Sequence, residues 1–157
     1  MFALIKIHLN QVVALKISKN KENNIEALET EYLYKKQSQI ADSGNGLYTA
    51  IDIYRDEIIA VFKGEILTDI QAKKRAKEGN DKYFINLLDG SIMDSMNIKC
   101  FAKYANDANG STISNFKNNS IIALDDNDNV CIKAIRNIKA NEELFCDYGK
   151  RYWKKHS

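Results

Sequence analysis

Glu142-Glu143-Leu144-Phe145-Cys146-Asp147-Tyr148-Gly149, followed shortly by Tyr152-Trp153, is the stretch on which the reading of this chain turns. Taken alone it describes a short strand that ends in a glycine turn, with an aromatic tail packed on a core. Three other short stretches precede it: Gly44-Asn45-Gly46-Leu47-Tyr48, then Phe62-Lys63-Gly64-Glu65, then Lys103-Tyr104-Ala105-Asn106-Asp107-Ala108. Each is weak by itself. The single GxG is not a dinucleotide fingerprint, because no further glycine and no helix pattern follow it. It is either a plain turn before a strand or a place where a ligand approaches bare backbone N–H groups.

Composition narrows the alternatives. The 157 residues are 45% hydrophobic and 28% charged, which fits one globular domain. Lys and Arg number 23 against 21 Asp and Glu, so the formal charge of +2 gives no reason to expect direct nucleic-acid binding. Cys100, Cys131 and Cys146 are odd in number, far apart and in no CxxC or Cys/His pattern. They argue against a disulfide framework and against structural zinc, and suit a reducing, intracellular compartment. The apolar start is broken by Lys6, His8 and Lys16, so it reads as folded structure, neither a signal peptide nor a membrane span. A soluble protein is expected.

Familiar catalytic and metal motifs are missing. Asp125-Asp126-Asn127-Asp128-Asn129 resembles a calcium loop, but Val130 stands where glycine is needed and Arg136 where glutamate is needed. A solvated hairpin loop is the better reading. His8 and His156 have no Cys or carboxylate neighbour at ligand spacing, and no Walker, HExxH or GxSxG pattern occurs. No metal is expected.

The elements follow from periodicity. Phe2 to Ser18 reads as a hairpin around Asn10-Gln11 or as a short buried helix, and 24–36 as one amphipathic helix carrying Ile25, Leu28 and Tyr32. Strands are expected at 46–53, 57–62, 83–88 and 91–94, the last two joined by a type I′ turn at Asp89-Gly90. A helix should start at Thr68 or Asp69 and stop at Gly79. A short helix at 100–104 and strands at 121–124, 130–134 and 144–146 complete a strand-dominated α+β domain.

One echo stands out. TAIDIYRDEII from Thr49 and AIRNIKANEEL from Ala134 share the pattern x-x-x-[DN]-I-x-x-[DN]-E-x-[IL]. Asp56 and Asn141 stand where a tight turn needs a left-handed residue. The chain also has no proline, where average usage gives about eight. Its turns are therefore expected to be built from Asn, Asp and Gly.

Read in order, the four stretches resemble the SET domain of protein-lysine methyltransferases. The resemblance covers roughly Tyr34 to Trp153. Gly44, Gly46, Leu47 and Tyr48 match the family's Gly-x-Gly-Leu-[Phe/Tyr] start. Ile53, Glu57, Ile59, Phe62, Gly64 and Glu65 match its next two segments, and Thr68, Gln71, Ala72 and Arg75 match the helix after them. Ala102 to Ala108 corresponds to A-R-F-x-N-H-S, with the family's next Asn step near Asn118 and Asn119. Glu142, Glu143, Leu144, Asp147, Tyr148 and Gly149 meet its closing E-E-L-x-x-D-Y-G.

The resemblance implies a fold of several small sheets with a C-terminal pseudoknot and a short helical insertion. Residues 1–37 would be an N-terminal flank, 38–153 the catalytic domain and 154–157 a tail. The implied activity is protein-lysine N-methylation with S-adenosylmethionine as cofactor. Gly44, Asn45, Gly46, Asn106, Asp107, Tyr148 and Trp153 would hold the cofactor. Tyr148 would be catalytic, and Phe62, Tyr83, Lys103, Ala105 and Cys146 would line the lysine channel, Lys103 and Ala105 through main-chain carbonyls. The implied substrate is a histone tail or another basic protein, which would place the protein in a nucleus or host-cell nucleus.

Departures from the family pattern temper this. Asp107 replaces the usual His and sets a negative charge near the expected cofactor position. Phe62 lacks the hydroxyl of the usual Tyr, and small Cys146 stands where Phe or Tyr limits the number of methyls, favouring higher methylation states. The family's cysteine-rich segment is not found after Gly149, so the channel is expected to be closed by the short tail, the N-terminal flank or a second subunit in a homodimer. The alternative function is a SET-like protein-binding module that has lost catalysis.

Overall fold

Short apolar runs bounded by Asp, Asn and Gly favour short strands over long helices. The computed structural model describes residues 24–110 and 114–156, and ten strands occur among them. β1 (Leu33–Gln37), β2 (Asn45–Thr49) and β9 (Glu143–Leu144) form one sheet in the order β1-β2-β9. β3 (Ile58–Val61), β7 (Ser120–Leu124), β8 (Val130–Ala134) and β10 (Cys146–Asp147) form a second, ordered β10-β7-β8-β3. The third is a small lobe of β4 (Glu65–Leu67), β6 (Ile92–Asp94) and β5 (Phe84–Asn86). Leu47, Ile53, Ile59, Ile132, Ile138 and Leu144, all fully buried, make the main core that the first two sheets share.

The N-terminal reading needs correction. Instead of a helix over 24–36 there is one turn, α1 (Glu29–Tyr32), and Leu33 to Gln37 is strand β1, paired antiparallel with Thr49 to Asn45. Pairing wins because it buries Leu33 and stacks Tyr34 on Tyr48 at 5.6 Å, whereas Leu28, on the supposed apolar face, is 71% exposed. The segment from Phe2 to Ser18, expected as a hairpin or a short buried helix, lies outside the described residues, as does His8.

The helical insertion is as expected. Thr68 and Gln71 form a capping box, with Gln71 N donating to Thr68 Oγ1 and Thr68 N to Gln71 Oε1, and α2 (Asp69–Lys77) runs to Gly79 at φ 76°. It is tied to the lobe by Arg75, which reaches Asp94 at 2.6 Å and Glu65 at 2.7 Å. The β5–β6 hairpin forms, but not through a type I′ turn. Gly90 alone has positive φ, and Leu87 N donates to Ser91 O, which makes a three-residue loop with a bulge at the glycine.

The internal echo is a pair of turns that hold each other. Ile53 and Ile138 exchange both backbone hydrogen bonds at 2.8 Å. Every polar position of the shared pattern then has a counterpart. Asp52 Oδ1 accepts from Ala140 N while Asn137 Oδ1 accepts from Arg55 N. Glu57 accepts from Tyr54 N and Glu142 from Lys139 N. Asp56 and Asn141 have φ of 74° and 70°, and each donates its N–H to the strand before the other turn, at Ala134 O and Thr49 O. A local two-fold thus sets the angle between the two main sheets. Ile138→Ala removes one half of its centre and is expected to cost about 3 kcal/mol in urea unfolding, with the lobe's α2 still formed.

Candidate active site

The stretch quoted first runs between two other segments and is bonded to both. On one side Cys146 N donates to Asn106 O at 2.8 Å, and Asn106 bridges Phe145 in parallel. On the other, Phe145 O accepts from Asn119 N and Ser120 N, and β10 runs parallel to β7. Asn119, 1% exposed, uses its whole amide here: Oδ1 accepts from Phe145 N at 2.9 Å and Nδ2 donates to Glu143 O at 2.8 Å. This crossing is the expected pseudoknot.

Of the two glutamates that begin the stretch, Glu142 pairs with Arg136 at the surface, and Glu143 is 2% exposed. Glu143 Oε1 accepts from Ser38 Oγ at 2.6 Å and Oε2 from Gln39 N at 2.7 Å, with the Tyr48 hydroxyl 3.0 Å away. Burial, reinforced by that carboxylate, pushes the Tyr48 phenol up to about 12. A Cβ on Gly46 would overlap Glu143 Oε1, so this glycine is needed to let the side chain cross β2. Gly44 differs: it has φ 66° and open space beside it.

At the end of the crossing Tyr148 donates its hydroxyl to Ala105 O at 2.5 Å. Burial above all, with Cys146, Tyr152, Asp107 and Tyr83 nearby, raises its pKa well above that of an ordinary phenol. Tyr148 is therefore a neutral donor whose direction is set by a backbone carbonyl. Its ring meets Tyr152 edge-on at 4.9 Å and stacks on Trp153 at 6.2 Å. Both rings belong to the C-terminal helix α3 (Lys150–His156).

The other expected site residues divide into two groups. Asn106, Asp107, Tyr148 and Trp153 come together, and Asn106 Nδ2 reaches back to Asn45 O at 3.1 Å, joining the glycine turn to the crossing. Tyr83 belongs with them through its electrostatic effect on Tyr148 and Tyr152. The Lys103 ammonium is taken up by the carbonyls of Ser95, Met96 and Ile98 at 2.9 Å each, and lies 5.7 Å from the centre of the Tyr83 ring. Phe62 packs in the core between the main cluster and Val130. Cys146 is fully enclosed, and burial raises its thiol pKa.

Asp107 is buried, 6% exposed as a residue, with each carboxylate oxygen accepting two N–H groups: Oδ1 from Asn109 N and Asn118 Nδ2, Oδ2 from Tyr148 N and Trp153 Nε1, all at 2.8 to 2.9 Å. Sequence reasoning placed Asn118 and Asn119 only as a step before a strand and did not find these roles. Two consecutive amides between a polar loop and an apolar strand were the available signal. Asn119→Ala would leave Phe145 N and Glu143 O buried without partners, and is expected to cost about 3 kcal/mol in denaturant unfolding.

Comparisons with known proteins agree with this geometry. Residues 44–149 match the family described as SET domain. A solved structure of ctPRC2 in an autoinhibited conformation bound to S-adenosylmethionine is similar with a TM-score of 0.59 and 26% identity, covering 80% of this chain and 16% of that chain. A humanized mutant of the Chaetomium thermophilum Polycomb Repressive Complex 2, bound to the inhibitor GSK126, has the same TM-score and identity over 76% of this chain and 15% of that chain. Among curated proteins nothing matches. With the family matched over 44–149 and the strand crossing formed by the residues that carry the match, this chain belongs to the SET-domain family.

Proposed function

We propose that the chain transfers methyl groups from S-adenosylmethionine to a lysine side chain of a protein, a histone tail or another basic segment. The observation that carries this reading is the neutral Tyr148 hydroxyl held on the Ala105 carbonyl at the strand crossing. One of the similar solved structures has S-adenosylmethionine bound. The residues present suit that molecule. The rings of Tyr148, Tyr152 and Trp153 form one aromatic cluster, Gly44 leaves room at the turn, and Asn106 bonds Asn45 O beside it.

S-adenosylmethionine supplies a methyl group on a sulfonium, activated for in-line displacement. The protein's part is alignment and desolvation. Ala105 O orients the Tyr148 hydroxyl, and the hydroxyl oxygen and the carbonyl's second lone pair would offer weak acceptors for polarised C–H groups. The half-buried rings limit water and favour the neutral form of an incoming lysine amine. Because Tyr148 does not ionise in the working range, it acts by orientation and not as a base. The main-chain carbonyls of Lys103 and Ala105 would direct the amine, with Phe62, Tyr83 and Cys146 around it.

The binding-module alternative draws in part on Asp107. A carboxylate satisfied within the fold removes that part of its support. No helix among the described residues is long and apolar enough to cross a membrane. If histones are the substrate, the site of action is a nucleus, that of a host cell included.

Radiolabelled S-adenosylmethionine with histones and with a proteome extract tests the activity. Transfer is expected for the wild type, and Tyr148→Phe should lower kcat at least about a hundredfold while still binding cofactor. No transfer to any protein, with Tyr148→Phe binding cofactor as tightly as the wild type, would contradict the proposal. The pH profile offers a second check. The ratio kcat/KM should climb toward the free lysine pKa of about 10.4 without a break from Tyr148, because a raised phenol pKa keeps its proton on throughout.

A further inference from the structure

A seven-residue helix such as α3 is too short to hold itself together in water. Something must fasten it. Besides the ring contacts that Tyr152 and Trp153 make with Tyr148, two further contacts are made by Trp153. Its indole N–H donates to Asp107 Oδ2 at 2.8 Å, and its six-membered ring lies against Gly110, where a Cβ would overlap Cζ2. The same Asp107 oxygen accepts Tyr148 N at 2.9 Å. One buried carboxylate oxygen therefore joins the helix that carries Tyr152 and Trp153 to the backbone of the catalytic strand. Its other oxygen accepts from Asn109 N and Asn118 Nδ2.

We propose that Asp107 is a positioning residue, a latch whose carboxylate holds α3 closed over the cofactor side of the site and so sets cofactor affinity. The inference rests on the proposed use of S-adenosylmethionine for its functional consequence, but not for the latch itself. A histidine, the residue usual at this position in the family, cannot accept four N–H groups; a carboxylate can, two on each oxygen. The substitution is thus matched to this chain's own Trp153, Asn118 and Gly110. Charge-assisted bonds of this kind are among the stronger ones in a protein interior.

Trp153 is the single tryptophan of the chain, so its fluorescence reports the latch directly. Asp107→Asn places an NH2 group against N–H donors and should shift Trp153 emission to the red and increase its quenching by iodide. Titrated with S-adenosylmethionine by calorimetry, the full chain should bind about tenfold more weakly, while kcat at saturating cofactor changes less than KM for the cofactor. Gly110→Ala leaves the carboxylate intact but pushes the indole away, and should reproduce the red shift and the weaker binding even if Asp107→Asn does not fold. A merely structural role would lower the melting temperature of both variants but leave emission and cofactor affinity of the folded protein unchanged, and that result overturns the latch. Should wild type fail to bind S-adenosylmethionine, the functional proposal falls, and emission and quenching alone decide whether Asp107 holds the helix.

Discussion

The structure depends on one strand being bonded along both edges. Residues 143–147 have Asn106 on one side and Asn119 to Ser120 on the other, and neither contact exists until the chain has folded back around them. A segment placed this way has little freedom, since Glu143 O, Phe145 N and O, and Cys146 N are all committed to Asn106, Asn119 or Ser120. That constraint brings the Tyr148 hydroxyl to the Ala105 carbonyl and places an aromatic helix immediately after it.

Two supports keep the crossing in register. One is the reciprocal pair of turns at Ile53 and Ile138, which fixes how the strands before and after it meet. The other is a set of buried polar side chains, Glu143, Asn119 and Asp107, each with its bonding capacity met by neighbours. Buried polar groups left half-satisfied would weaken the site; satisfied, they hold a single arrangement. Gly46 is part of this framework, making room for the Glu143 side chain.

Much of this was legible in the sequence, for reasons that can be named. The closing stretch combines a strand pattern, a buried aromatic and a glycine at φ 79°, and few arrangements demand all three together. Asp56 and Asn141 announced their left-handed turns because a proline-free chain has few other residues for such positions. What escaped depended on distant partners. Helical spacing at 24–36 could not foresee that Asn45–Thr49 would recruit Leu33–Gln37 as a strand. Nor could residue type distinguish an Asp107 that faces a pocket from one enclosed by Asn118, Tyr148 and Trp153, because the decision lies in the packing of α3.

The central claim is that this crossing aligns a methyl donor with a lysine amine through a neutral tyrosine. Mass spectrometry of lysate proteins after incubation with methyl-deuterated S-adenosylmethionine tests it most directly. The account predicts labelled methyl groups on lysine side chains with the wild-type chain and none above background with Tyr148→Phe. Label absent from both reactions, or equal in both, would contradict it.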